Sequence, residues 1–489
     1  MIAIPFILNT LASFLVGLLA AKFLGPAEYG RYALAMAIGI VWQTIGFDWL
    51  RLSATRFTSA HDRAERPHIA ATLQALFLVL GAFTAVAALA LFMAPDALPL
   101  PPALLALAAL VALANGTFDY SSAVLRARFL DRPYRTLVLA RTLLSLVLIL
   151  GGAYVFKSAE MALAGLVLSL IGAAALANAN IVDREATPRR ALKSQAASFA
   201  IYALPIVAAN GLHQIALLTN RSFASHALGF AQTGQLSLAF DLGLRIVAAV
   251  GSSVDVLLFQ LAVRAEKERG LEAAQAQVGF NVGAVFAIVA PTVVGCWLVL
   301  PSFEALLIPE AFRGPFAHYF ALQSPAFLCF ALTMYCVGPM FQIVHRTWPV
   351  VLGGAAALAA IPIAVALLPK GDDATTYALA QSISSLTGFV VVSGLAAIYA
   401  PARLSMRDIL SAALAAAAMA LAGLPLRAMA PGVVTLAAQI AFGAMVYGAV
   451  AFAFDLCGLR AMIARKFAPR RLEHDPEKWT PVFGKDHAQ

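Results

Sequence analysis

Ionisable side chains inside long apolar segments are the residues of this sequence whose types and spacing could do chemistry. Asp241 and Arg245 stand four residues apart, and Ser252 and Asp255 continue the same helix face. A guanidinium can bind a phosphate through two parallel hydrogen bonds, so Arg245 is a candidate anion-binding residue that Asp241 would hold in place. The alternative is an i,i+4 ion pair of Asp241 and Arg245 that neutralises itself and joins helices.

Further polar residues interrupt other apolar segments and are candidates for the lining of a substrate cavity. Such groups are costly in lipid unless they face a bundle interior or water. Arg141 could bind an anion, or its side chain could extend to the membrane interface. His213 could relay protons, because a histidine can titrate near neutral pH, or it could form a simple helix–helix hydrogen bond. The remaining candidates are Asn9, Asn210, Gln214, Asp119 and Asp48, the last of which could instead be interfacial.

The composition indicates a protein that crosses a membrane many times. Of the 489 residues, 61% are hydrophobic and 12% are charged, and the mean hydropathy is +0.84. Soluble domains carry roughly 25% charged residues and 45–50% apolar ones. Apolar segments of roughly 18 residues or more recur along the whole length, which leaves no room for a large soluble domain.

The apolar segments predict about fourteen membrane-spanning helices. They are expected at residues 2–23, 32–50, 69–93, 103–122, 136–156, 161–180, 198–219, 232–257, 278–300, 318–340, 350–368, 375–399, 409–426 and 433–455. Of the 34 Lys and Arg residues, 25 fall on one side of these spans and seven, including Arg221, fall on the other, while Arg141 and Arg245 lie within spans. The excess of positive charge predicts that those loops and both termini are cytoplasmic.

A stretch between the first two spans recurs in the second half of the chain. LGPAEYGRYALA at residues 24–35 and LGFAQTGQLSLA at residues 228–239 share six identities at a constant offset of 204. Each copy joins two apolar segments of similar length, and the Gly-Pro pair in the first copy cannot continue a helix. The pattern indicates a duplicated half, which is common in membrane transporters, although a chance match of two Leu-Gly turns is the alternative.

No enzyme motif occurs in the sequence, so the chain is not predicted to be an enzyme. It contains no Walker loop, no dinucleotide-binding fingerprint, no HExxH zinc motif and no GxSxG nucleophile motif. The four cysteines lie singly in apolar segments, and Cys329 and Cys336 share one helix face, so packing is a better prediction than metal binding. Most of the residues behind the net charge of +9 lie in the loops and the tail, so the charge does not indicate nucleic-acid binding. We expect no cofactor, metal or nucleic-acid partner.

Four stretches carry a resemblance to a known family. LGPAEYGRYALA follows an early apolar helix and precedes a span that ends in FDWLRLSATRF. TNRSFASHALGFAQTGQLSLAFDL repeats the same turn, and LRARFLDRPYR forms a basic loop after the fourth span. In these features the chain resembles the polysaccharide transporter branch of the multidrug/oligosaccharidyl-lipid/polysaccharide exporter superfamily. The resemblance covers spans 1–12 in order, and many relatives share two further apolar spans.

The resemblance implies an all-α polytopic membrane protein with two six-helix lobes around a central cavity, related by a pseudo-twofold repeat, plus two C-terminal helices. The expected boundaries are 1–196 for the N-terminal lobe, 197–400 for the C-terminal lobe, 401–457 for the two extra spans and 458–489 for a basic cytoplasmic tail. The fold would rock between inward-facing and outward-facing states, so that the cavity opens to each side in turn.

The resemblance also implies a function in the biosynthesis of cell-surface polysaccharides, such as lipopolysaccharide or exopolysaccharide. The protein would be a flippase of the inner membrane, and its cargo would be a polyprenyl diphosphate-linked oligosaccharide. Cationic cavity residues suit such a cargo, because arginine pairs with phosphate bidentately. Expected partners are the cargo itself, membrane lipids, and a polysaccharide polymerase or glycosyltransferases.

Two other functions remain compatible with the sequence. A drug/cation antiporter of the same superfamily would need an acidic cavity that binds protons or sodium, whereas the candidate residues carry both signs of charge. A non-transporting scaffold that recruits a polysaccharide polymerase would not need charged side chains within its spans, so those side chains argue against it.

Overall fold

The computed structural model describes residues 3–58, 67–94, 100–181, 187–344, 346–402 and 404–461. Within these ranges the chain is helical and contains no strand, which confirms the predicted all-α class. The predicted basic tail, apart from its first four residues, lies outside the described residues.

The first half of the described chain consists of five long helices. Their bounds are α1 (Ala3–Phe57), α2 (Pro67–Phe92), α3 (Pro102–Ala127), α4 (Asp131–Phe156) and α5 (Ala159–Ile181). Proline is the first residue of both α2 and α3, a position where its missing N–H costs no helical hydrogen bond. Helix α3 packs against α1, α2 and α5, and α4 packs against α5.

The second half begins with another very long helix. The helices of this half are α6 (Lys193–Arg269), α7 (Leu271–Leu307), α8 (Pro315–Leu332), α9 (Gly338–Ile343), α10 (Trp348–Leu367), α11 (Thr375–Tyr399), α12 (Met406–Arg427) and α13 (Val433–Ala453). A π-helical turn, Thr333–Val337, joins α8 to α9. The last two helices, α12 and α13, pack against α7.

Helices α1 and α6 each bend at a glycine whose backbone is not helical. Gly25 has φ 71° and ψ 174°, and Gly229 has φ 80° and ψ 176°. This region is open essentially only to glycine. The bends divide the two helices into the arms α1a (3–24), α1b (26–57), α6a (193–228) and α6b (230–269). The same unusual conformation, 204 residues apart, supports an internal repeat.

The arms α1b and α6b cross in close contact just after the two bends. Gly30 lies against the carbonyl of Phe230, and Gly234 lies against the carbonyl of Pro26. A side chain at either glycine would collide with main-chain atoms of the other arm, so only glycine permits this approach. Both bends therefore lie at the same end of the molecule, as the repeat predicts for halves related by rotation about the membrane normal.

The outward faces of the helices are apolar, as contact with lipid requires. In α2, for example, Leu78 and Phe83 are exposed. Among the described residues, twelve helical segments are long and apolar enough to cross a membrane. Two of them, Leu11–Phe57 and Lys193–Gly251, have 47 and 59 residues and contain the bends. Each is long enough for two crossings, because one crossing takes roughly 20 residues. The fourteen predicted spans thus correspond to helices, whereas the lobe boundaries at 196 and 400 stay a prediction.

Gly25→Ala tests the backbone requirement at the first bend. No atom lies within 4 Å of the position where a Cβ would stand, so the change adds backbone strain without a collision. We expect a loss of about 1–3 kcal/mol in the free energy of unfolding, the usual cost of such a conformation for a residue other than glycine. Thermal unfolding of the purified protein in detergent measures it.

The matched control is Gly151→Ala. Gly151 also has no atom within 4 Å of its Cβ position, but it lies inside the regular helix α4. Alanine is favoured there by about 1 kcal/mol of helix propensity, so this variant should melt at or above the temperature of the unchanged protein. Equal melting temperatures for the two variants would contradict the assignment at Gly25.

The charge bias of the loops predicts the orientation of the chain in the membrane. Glu310→Cys and Asp372→Cys should react with an impermeant maleimide added from outside, and Arg189→Cys and Arg269→Cys should react only after permeabilisation. All four positions are exposed, and the four native cysteines are first replaced by serine. Labelling of Arg189→Cys in intact cells would show that the orientation is reversed.

Candidate functional site

A cavity of about 290 Å³ lies between the two halves of the chain. Its wall is formed by α1a, α1b, α4, α5 and both arms of α6. Among the residues that the structure describes, four charged side chains line it, namely Arg141, Arg221, Asp241 and Arg245. The structure therefore brings three predicted site residues together and adds a further arginine, and the wall carries a net positive charge.

Arg221 and Asp241 form an ion pair across the bend in α6. Arg221 Nη2 donates to Asp241 Oδ1, and Arg221 Nη1 donates to the carbonyl of Ala33 at 3.3 Å. A straight helix would separate positions 20 residues apart by about 30 Å, so the bend at Gly229 is what makes this pair. Asp241 is thus paired with Arg221 rather than with Arg245, and the prediction that Arg221 lies in an outer loop is wrong.

Arg245 reaches from α6b to the backbone of α1a. Its Nη1 donates to the carbonyl of Ser13, and the guanidinium lies directly over Gly17. Among the residues that the structure describes, Arg245 forms no ion pair with a carboxylate. Because α1a belongs to the first half and α6b to the second, this side chain links the halves through a main-chain acceptor.

Arg141 lies in the wall of the same cavity, on α4. Its guanidinium carbon is 4.5 Å from the centre of the Phe118 ring, which is a cation–π contact. Like Arg245, Arg141 has no carboxylate within ion-pair distance in the described part of the chain. Arg141 and Arg245 thus bring two positive charges to one cavity from different halves.

A separate polar cluster joins α1b to α3 in the first half. The Gln43 amide donates to Asp48 Oδ1 at 3.1 Å and to Asp119 Oδ2 at 3.0 Å. Arg51 Nε donates to the same Asp48 oxygen at 3.1 Å. The structure therefore joins two predicted site residues, Asp48 and Asp119, through a glutamine, but neither of them lines the central cavity.

Asn210 and His213 line a smaller pocket of about 80 Å³ within the second half. The His213 ring packs on Phe330 with ring centroids 5.5 Å apart. The described lining has polar groups from Gln381 and from other neutral residues, but no carboxylate. These two predicted site residues are therefore separated from the arginines, and the third residue of this stretch, Gln214, lines neither space.

A third space of about 480 Å³ is almost entirely apolar. It lies among α7, α8, α9, α11 and α12, and Ser393 is the one hydroxyl among the described residues of its lining. Phe286, Phe389 and Ile409 are typical of its walls. Such a lining offers no partner to a charged group and suits hydrocarbon.

Several other predicted residues cannot be assigned to any of these spaces. The helices continue through Asn9, Ser252 and Asp255, whose side chains lie outside the described part of the structure. None of the four cysteines, all of which lie in the described part of the chain, forms a disulfide, and Cys329 and Cys336 are buried, as expected for packing residues. Within the described residues, no group of three His, Cys, Asp or Glu side chains could hold a metal ion.

Sequence reasoning placed Asn9 and Asp48 of α1 at the cavity but missed three residues of this helix that line it. Gly17, Tyr29 and Tyr32 line the cavity beside the arginines, although none of them interrupts an apolar segment with a charge. The repeat offset could have indicated Gly17, because this residue stands 204 positions before Arg221, which also lines the cavity. Equivalent positions of the repeat therefore meet at the same cavity.

The fold is that of transporters of the multidrug/oligosaccharidyl-lipid/polysaccharide (MOP) superfamily. The lipid II flippase MurJ in an inward closed conformation superposes with a TM-score of 0.67 and 13% identity, over 94% of this chain and 99% of that chain. An inward-facing MATE multidrug transporter gives a TM-score of 0.55 at 15% identity, over 81% and 94%. A MOP transporter from Pyrococcus furiosus gives 0.51 at 15% identity, over 85% and 94%.

No protein-family model and no curated protein matches the sequence. The similarity to solved structures therefore concerns the fold, and it confirms the predicted class of a two-lobed, all-helical membrane protein. The assignment of a cargo has to come from the cavity itself.

The ion pair across the bend predicts strong coupling between Arg221 and Asp241. Arg221→Gln or Asp241→Asn each leaves one charge without its partner, so each should lower the free energy of unfolding by about 3 kcal/mol. The double variant should recover most of this loss, because neither charge remains. Chemical denaturation of the purified protein in detergent measures the cycle.

The control cycle combines Asp241→Asn with Arg245→Gln. Because Arg245 donates to Ser13 and forms no ion pair with Asp241, the coupling in this cycle should be much smaller than that between Arg221 and Asp241. Coupling of Asp241 to Arg245 as large as its coupling to Arg221 would contradict the pairing described above.

Proposed function

We propose that the protein is a flippase that moves a polyprenyl diphosphate-linked oligosaccharide across the inner membrane by alternating access, in the biosynthesis of cell-surface polysaccharides. The observation that carries this proposal is the cavity wall, where Arg141 and Arg245 come from different halves and form no ion pair among the described residues. The third arginine, Arg221, already has its carboxylate.

A diphosphate is the part of such a cargo that these arginines would bind. Guanidinium groups pair with phosphate oxygens through charge-assisted hydrogen bonds, which are about twice as strong as neutral ones. In an apolar protein with little water the attraction is stronger than at a surface. A group with two phosphates carries enough negative charge to compensate both arginines of the cavity wall.

The lipid part of the cargo needs an apolar surface. The apolar space of about 480 Å³ beside α12 supplies such a surface within the protein. MurJ, whose fold this chain shares, is described as a flippase for lipid II. Both observations support a lipid-linked cargo over a fully water-soluble one.

Alternating access would require the two halves to separate at the end where they now touch. That end is closed by the crossing at Gly30 and Gly234, where main-chain atoms meet without intervening side chains. Movement of the halves would then expose the arginine cavity to the other side of the membrane. With both termini cytoplasmic, as the loop charges predict, this closed end faces outward.

A drug/cation antiporter of the same superfamily is the second candidate function. The observation in its favour is the pair of carboxylates, Asp48 and Asp119, held by Gln43. Paired carboxylates can hold a proton or a cation, and a MATE multidrug transporter shares the fold. Under this function Asp119→Asn should abolish drug efflux and Arg245→Gln should not.

Arg245→Gln tests the flippase. The change removes the charge and keeps a polar side chain, and no carboxylate among the described residues loses an ion-pair partner, so the protein should remain near its normal abundance in the membrane. Polysaccharide output in a deletion strain should fall at least about tenfold, because a charge-assisted phosphate contact is lost. Arg141→Gln should act in the same direction.

The matched control is Arg264→Gln, since the Arg264 side chain is 73% exposed at the end of α6. It should leave output unchanged. A normally abundant Arg245→Gln protein with full output would remove Arg245 from the binding site and the diphosphate from the proposal.

A further inference from the structure

Gly17 leaves the space that the Arg245 guanidinium occupies. A Cβ at Gly17 would stand 2.7 Å from Arg245 Nη1 and 3.4 Å from its Cζ. The backbone at Gly17 is ordinary helix, where glycine costs about 1 kcal/mol relative to alanine. The helix itself therefore gains nothing from glycine, whereas a Cβ at this position would displace the Arg245 guanidinium.

Ser13 completes this seat one helical turn earlier. Its carbonyl accepts the hydrogen bond from Arg245 Nη1, and the missing side chain of Gly17 lets the Nη1 end of the guanidinium come close to α1a. We call Ser13 and Gly17 the arginine seat. Because Nη1 is directed at the carbonyl, the Nε and Nη2 donors remain for a ligand in the cavity that Arg245 lines.

The seat and the arginine belong to different halves of the chain. The equivalent of Gly17 in the second half, 204 residues later, is Arg221. An arginine at both equivalent positions would place a further cation where the Arg245 guanidinium now lies. The two copies of the repeat therefore differ at this position. The second copy has a charged side chain there, and the first has a glycine that leaves room for the Arg245 guanidinium.

We propose that Gly17 is a positioning residue, which with the Ser13 carbonyl holds the Arg245 guanidinium in the orientation that binds an anionic ligand. The identification of that ligand as a diphosphate rests on the proposed function. A free arginine side chain has roughly 2 kcal/mol of rotamer entropy. Because the contacts with Ser13 and Gly17 already restrict the Arg245 side chain, binding of a ligand costs less of this entropy.

The test uses the full chain in lipid nanodiscs and inorganic pyrophosphate as the probe. Gly17→Ala should weaken pyrophosphate binding about tenfold, because the displaced guanidinium loses one charge-assisted contact. Gly151→Ala is the control, since its Cβ position is open and distant from any side chain, and it should bind as the unchanged protein does. Isothermal titration measures the affinities.

A double change separates positioning from general damage. Arg245→Lys alone should weaken binding, and adding Gly17→Ala to it should change the affinity less than about twofold, because a slender ammonium group clears the new methyl. Full additivity of the two changes would mean that Gly17 acts elsewhere and would overturn the proposal.

A second readout needs no ligand. Phenylglyoxal modification of Arg245, followed by peptide mass spectrometry, should be faster in Gly17→Ala than in the unchanged protein or in Gly151→Ala, because the guanidinium has left its seat. An unchanged rate would overturn the positioning role. A faster rate, together with no pyrophosphate binding by any variant, would support the seat and refute the diphosphate cargo.

Discussion

The cost of keeping a guanidinium inside an apolar helical protein governs this structure. Each such group costs at least roughly 2.5–3.5 kcal/mol within a membrane, and three of them line one cavity. Arg221 pairs with a carboxylate, Arg245 donates to a main-chain carbonyl, and Arg141 lies over an aromatic ring. These three interactions compensate the positive charge to different extents. A carboxylate compensates most of it, a carbonyl oxygen compensates part of it, and an aromatic ring compensates least. The two weaker ones leave charge available to a ligand.

The repeat supplies the frame of the molecule, and departures from the repeat supply its chemistry. Gly25 and Gly229 have the same non-helical backbone, and the arms that follow them cross through two equivalent glycines. No such equivalence holds for charge, because Arg221 corresponds to Gly17 and Arg245 corresponds to Val41. A perfectly symmetric pair of halves would carry four cations at one point, where mutual repulsion and lack of space would prevent the halves from closing.

The fold could be predicted from the sequence because its causes are local. Hydropathy marks the spans, and the turn at Gly25 and its copy at Gly229 mark both the bends and the repeat. The pairing in the site could not be predicted, because helical spacing makes Arg245 the nearest cation to Asp241 along the chain, whereas the bend makes Arg221 the nearest in space. Periodicity likewise places His213 on a face of its helix without telling which neighbour covers that face, and the structure turns it towards a pocket inside the second half.

The same hydrogen bonds that place the cavity arginines also hold the halves together. Arg221 donates to the carbonyl of Ala33 and Arg245 to that of Ser13, and both acceptors belong to the first half. Under the proposed alternating access these bonds would break when the halves separate, and the guanidiniums would then need another partner. An anion bound in the cavity would supply that partner, so its binding would lower the cost of separation by the amount of its own differential affinity. A carrier built this way would open readily only when loaded, because an empty cavity leaves the carbonyls as the best acceptors within reach.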